Sequence, residues 1–100
     1  MEVALGSVVS SQQSVNNGAY LNIKPSVGDE WVIHNIYVPA GKNVELYWSD
    51  GTNETLQDSN DGAWLNYHFH VTAGYYLRVK NASGSSIYIG YDGIRRRRRK

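Results

Sequence analysis

Along most of this chain the side chains alternate between apolar and polar with a period of two. Val44, Leu46 and Trp48 interleave with Glu45, Tyr47 and Ser49, the pattern of a strand with one face buried. No stretch places apolar residues at i, i+3, i+4 and i+7 with good helix formers between them, while β-branched and aromatic residues dominate. The pattern predicts an all-β chain of about eight short antiparallel strands: Val3 to Val9, Ala19 to Lys24, Glu30 to Val38, Asn43 to Asp50, Asn53 to Gln57, Ala63 to Val71, Tyr75 to Lys80 and Ser86 to Tyr91.

The punctuation between these runs is Gly, Asn, Asp, Ser and Pro. Pro25 and "SVGDE" stop the second strand, "PAGKN" and "NASGS" turn the chain later, and Asp50-Gly51 is a favoured hairpin turn because both residues tolerate positive φ. "SSQQSVNNG" (10–18) has too little apolar content for a core and reads as a polar loop or arm. Glu30 to Val38 carries apolar groups on both faces, Trp31, Ile33 and Tyr37 against Val32, Ile36 and Val38, as expected of a central strand or an intersubunit surface. The polar Asn53–Gln57 run reads as an edge. Eight such strands without a cysteine fit a jelly-roll-like or other Greek-key β-sandwich better than an immunoglobulin domain.

One hundred residues make a single domain. The absence of cysteine removes disulfides, thiolate metal sites and a cysteine nucleophile. The first ten residues do not resemble a secretory signal, and no window is apolar enough to predict a membrane helix. Charge is distributed unevenly. The net +1 conceals six cations in residues 95–100; residues 1–94 hold four cations against nine carboxylates, a net of −5. The expected organisation is a sandwich over 1–94 and a basic tail of Arg95, Arg96, Arg97, Arg98, Arg99 and Lys100. The tail is the candidate partner-binding segment, able to reach acidic protein surfaces or, without sequence preference, nucleic-acid phosphates.

Other candidate chemistry is sparse. His68 and His70 fall on one face of the predicted sixth strand, where a third ligand from a neighbour would complete a metal site; the competing reading is a solvated or pH-sensitive face. "DSNDG" (58–62) lacks the calcium-loop register and reads as an Asx-type turn. Asn53-Glu54-Thr55 and Asn81-Ala82-Ser83 match the glycosylation spacing, a pattern common by chance. No nucleophile elbow and no isolated carboxylate pair is present, so neither catalysis nor a cofactor is expected. Trp31, Tyr47 and Trp64 are candidates for an interface or for stacking on sugars, against the alternative that the tryptophans build the core.

With "GDEWVIHNIYVPAGKNVELYWSDG" (28–51) and "WLNYHFHVTAGYYLRVKNASGS" (64–85) in view, the chain resembles the small all-β accessory proteins of tailed-bacteriophage virions, of the capsid decoration or cement type. The resemblance covers most of residues 19–93 in strand length, Gly/Asn-rich turns, absent cysteines and a short N-terminal segment. It implies a non-enzymatic virion protein, made in the host cytoplasm and placed on the capsid surface. Its implied partners are the major capsid protein or other virion subunits, and its own copies as a homo-oligomer, a trimer above all; a membrane is not among them. The alternatives are a carbohydrate- or receptor-binding sandwich of a phage tail or adhesin, and a nucleic-acid-binding protein acting through its tail.

Overall fold

Paired main-chain ladders convert the alternating pattern into eight antiparallel strands in the computed structural model, which describes residues 7–97. They are β1 (Val8–Val15), β2 (Tyr20–Ile23), β3 (Glu30–Tyr37), β4 (Val44–Ser49), β5 (Glu54–Asn60), β6 (Phe69–Thr72), β7 (Tyr76–Asn81) and β8 (Ile87–Arg97). β1 pairs with β8, β2 with β7, β3 with β6 and β4 with β5, so the chain is one long hairpin folded about residues 50–53. Rolling that hairpin gives two four-stranded sheets, β1-β8-β3-β6 and β2-β7-β4-β5. Among the Greek-key possibilities this order is the jelly roll.

The core lies between the sheets. Ile33, Ile36, Val71 and Ile89 from the first sheet and Ile23, Val44, Leu46, Leu77 and Val79 from the second are fully buried. Burying each such side chain contributes about 1.5–3 kcal/mol relative to exposure. Asn81 is also fully buried, and its sequon is occupied structurally: Nδ2 donates to the Val15 and Ser85 carbonyls, both at 2.7 Å, while Oδ1 accepts from the amide and hydroxyl of Ser83.

Four predicted boundaries change, each for a physical reason. Residues 10–15, expected to be loop, are strand: their main chain pairs with β8 at every position, and only Val9 and Val15 pack on the core. The expected Val3 start lies outside the described residues. "DSN" (58–60) belongs to edge strand β5, which is exposed along nearly its whole length as its polarity demanded. Ala63 to Val71 is not one strand. Trp64 makes a single bridge to Ile36, Asn66 takes φ 64°, a left-handed conformation that breaks the pleat, and β6 begins only at Phe69.

The fourth change concerns Asp92-Gly93, expected to release a tail. Here glycine serves close approach rather than a turn: a Cβ on Gly93 would overlap the Val32 carbonyl oxygen and lie 2.7 Å from Ile33 Cα. β8 therefore continues past it, paired with β1 as far as Ile94 and with β3 as far as Arg97. The sandwich thus includes the first three arginines.

Candidate functional site

β3 is the central strand its two apolar faces predicted, and a bulge explains how both faces are used. Ile33 pairs with Gly93 and Asn35 with Asp92, leaving His34 as the extra residue. The bulge changes the parity of the strand, so Ile33 and Ile36 both enter the core while Asn35 and Tyr37 turn to the outer face. Asn35 Nδ2 donates to Asp92 Oδ1 at 2.7 Å, the Tyr37 hydroxyl donates to Asp92 Oδ2 at 2.7 Å, and the Asn66 amide donates to Asn35 Oδ1 at 2.9 Å. The hydrogen bond to the Asp92 carboxylate raises the Tyr37 pKa, because ionising the phenol would lose it.

This hydrogen-bonded ridge joins two clefts. One, of about 290 Å³, is lined by His34, Asn35, Asn66, Tyr67 and His68. The other, of about 300 Å³, takes in Gln12, Tyr37, Gly90 and Asp92. The predicted histidine pair is divided: His68 precedes β6 and meets His34 edge-on, ring centroids 5.1 Å apart, whereas His70 lies exposed within β6 opposite Val32. Among the described residues no three His, Cys, Asp or Glu side chains converge on a common point.

A second surface lies farther along β8. Val8, Ile94 and Val32 are directly opposed across β1, β8 and β3, with His70 next in the row on β6. Val8 is 75% and Ile94 36% exposed, and Val27, in the turn before Asp29, is 73% exposed. Beside this row the arginines take different roles. Arg95 is largely buried, its Nη2 3.4 Å from Asp29 Oδ2 and its Nη1 3.5 Å from Ser7 Oγ. Arg96 is exposed, 3.8 Å from Glu30. The Arg97 main chain pairs with Glu30. Arg98, Arg99 and Lys100 lie outside the described residues.

The aromatic candidates separate in the same way. Trp64 is buried and donates its Nε1–H to Asp58 Oδ2 at 2.8 Å, so it is part of the core and unavailable to a ligand. Trp31 packs against the core edge, stacked on Tyr91 at 6.4 Å. Tyr47 joins a self-contained network on the outer face of the second sheet, where Arg78 lies 3.9 Å over the Tyr20 ring and pairs with Glu54. The rings more open to solvent are Tyr37, Tyr67, Tyr75 and Tyr88. The placement of Tyr37 and Tyr67 beside the clefts was hidden because alternation cannot foresee a bulge; the one local signal was Asn66, a residue type that tolerates φ > 0.

The Tyr47 contact gives a measurable consequence. Its hydroxyl donates to Glu45 Oε1 at 2.7 Å, and this bond, with burial, pushes its pKa up to about 12. The shift is upward, so the associated stabilisation is complete below the unfolded value of 10.0 and is lost as pH rises through about 12. Phenolate absorbance in an alkaline titration should show a late-ionising tyrosine that shifts toward the ordinary range in Glu45→Gln. An unchanged titration in that variant would contradict the contact.

No protein-family model matches the chain, and no curated protein matches it significantly, so a functional reading rests on these two surfaces.

Proposed function

We propose that the protein is a non-enzymatic structural module of the virion-decoration type, docking on an acidic capsid or other virion subunit through the end of the sandwich where β8 carries its arginines. The observation that carries this reading is the exposed apolar row of Val8 and Ile94 bordered by a cationic strand end. Apolar contact supplies area at the centre of such an interface and peripheral charge supplies orientation and speed of encounter. β8 is paired on both sides as far as Ile94 and with β3 as far as Arg97, so little ordering entropy opposes docking on this stretch of strand. A protein partner fits better than nucleic acid, since Asp29 and Glu30 already face Arg95 and Arg96, which leaves an apolar contact bordered by a few cations rather than the dense positive field that phosphates require.

The direct test is whether the chain is a stoichiometric component of density-banded particles from the strain that encodes it. Recovery only in the soluble fraction overturns the reading. The arginines should then divide by role. Arg96→Ala combined with Arg98→Ala and Arg99→Ala should lower occupancy on particles, more strongly at low salt, without changing the unfolding midpoint. Arg95→Ala should instead destabilise the fold by about 1–3 kcal/mol, because it strands the Asp29 carboxylate. Equal effects of the two variants on denaturation would contradict this division.

A further inference from the structure

We propose that the paired clefts on the outer face of the β1-β8-β3-β6 sheet bind a neutral oligosaccharide, a function separate from docking at the basic end. Asp92 lies two residues, about 7 Å, from Ile94 on the same face, and the clefts extend from it away from the basic end, so a module anchored there still presents them.

The chemistry of the clefts selects the ligand. Asn35 and Asp92 have planar groups fixed before any ligand arrives, by the Asn66 amide and the Tyr37 hydroxyl. Each oxygen keeps a second lone pair, and Asn35 keeps a second N–H. Side by side, these paired acceptors and donors match the vicinal hydroxyls of a pyranose, and their preorganisation removes part of the ordering cost. Among the described residues no lysine or arginine lines either cleft, and the second holds the Asp92 carboxylate, which disfavours a phosphate, sulfate or uronate there.

Aromatic faces supply the rest. Tyr67 is 45% exposed, yet it stacks in parallel on Phe69 with centroids 5.1 Å apart. The stacking fixes the ring where it lines the first cleft, so its exposed part can meet the C–H face of a sugar. Tyr37, equally exposed, borders the second cleft. Gly90 forms part of its floor, where a Cβ would come within 3.1 Å of the Ser11 carbonyl oxygen. Each cleft is at the lower limit of small-ligand sites, suited to one ring rather than a large planar ligand. Since the Asn35–Asp92 ridge joins them, the expected ligand is two or three residues long.

The experiment is an amide NMR titration of the full chain with maltotriose, cellotriose and xylotriose in turn, and with heparin as a polyanion. Binding by at least one neutral trisaccharide should move the Asn35 and Asn66 side-chain amides and the backbone amides of 66–68 and 90–92. Tyr67→Ala should weaken that binding about tenfold. Asn66→Gly, which keeps the left-handed backbone available, and Tyr37→Phe, which deletes one hydroxyl, should each weaken it without altering the rest of the spectrum. The proposal is overturned if none of the three trisaccharides moves these amides, if the shifts survive in all three variants, or if heparin moves them as strongly as the sugars do.

Discussion

Gly93→Ala is expected to lower stability by at least about 3 kcal/mol, the combined cost of forcing a methyl group against backbone and losing ladder hydrogen bonds. The added Cβ meets the Val32 carbonyl oxygen and Ile33 Cα, neither of which can move as a side-chain end would. Relief requires β3 and β8 to separate, and they are the two inner strands of their sheet. That separation would also disturb Asn35, Asp92 and Arg95, which the same ladder positions. Gly74→Ala is the control, since a Cβ there meets nothing and its φ is not positive; its effect should stay within about 0.5 kcal/mol. Chemical denaturation of both variants decides the matter. Matching midpoints would mean that β3 and β8 do not approach at Gly93 as described.

The contrast between Asp50-Gly51 and Asp92-Gly93 shows what the sequence could convey. Both dipeptides read as turns. At the first, Gly51 has φ 94° and Asp50 Oδ1 accepts from the Thr52 and Asn53 amides, contacts that hold the Asp50 carboxyl below its usual pKa. At the second, the same residue pair lies inside an eleven-residue strand. Local propensity was identical, and the difference came from long-range pairing with β1 and β3. β1 illustrates the same limit: "SSQQS" has no apolar pattern, and its strand exists because β8 offers a complete ladder. Where one face was cleanly apolar the sequence predicted the buried side for Val44 and Leu46, with Trp48 partly packed on the core, while Ser49, expected on the other face, is buried. The candidate clefts were illegible because they depend on a bulge that puts Asn35 and Tyr37 outside while Ile33 and Ile36 stay inside.

The two surfaces of the first sheet follow from that same ladder. Before the bulge, Ile94 continues the exposed apolar row from Val8, with the buried Val32 opposite it on β3; beyond the bulge, the outer positions are Asn35, Tyr37 and Asp92. One irregularity in β3 therefore divides the face into an apolar part beside the arginines and a polar part holding the clefts. A single sheet can in this way carry adhesion at one end and ligand recognition in its middle, without a second domain.

Asn81→Ala should cost about 3 kcal/mol, because a fully buried amide that makes four hydrogen bonds would leave the Val15 and Ser85 carbonyls and the Ser83 amide without it. For a domain of this length that is a fall in Tm on the order of 15 °C. The residue sits at the end of β7 and ties β1 of the opposite sheet to the 82–86 loop, so both sheets should loosen at that end together. Asn81→Asp separates direction from volume. Its carboxylate can still accept from Ser83, but it turns negative charge toward two carbonyl oxygens that need donors. At neutral pH it should therefore be at least as damaging as alanine. Burial and the facing carbonyls raise the aspartate's folded pKa above its unfolded value near 3.9, so the neutral acid is the favoured form in the fold. The acid can donate one of the lost bonds, and its stability relative to wild type should improve on acidification and decline again as pH rises through the raised pKa. Thermal melts of the three proteins across the acidic range test this; a pH-independent gap between Asn81→Asp and wild type would refute the donor role assigned to Nδ2.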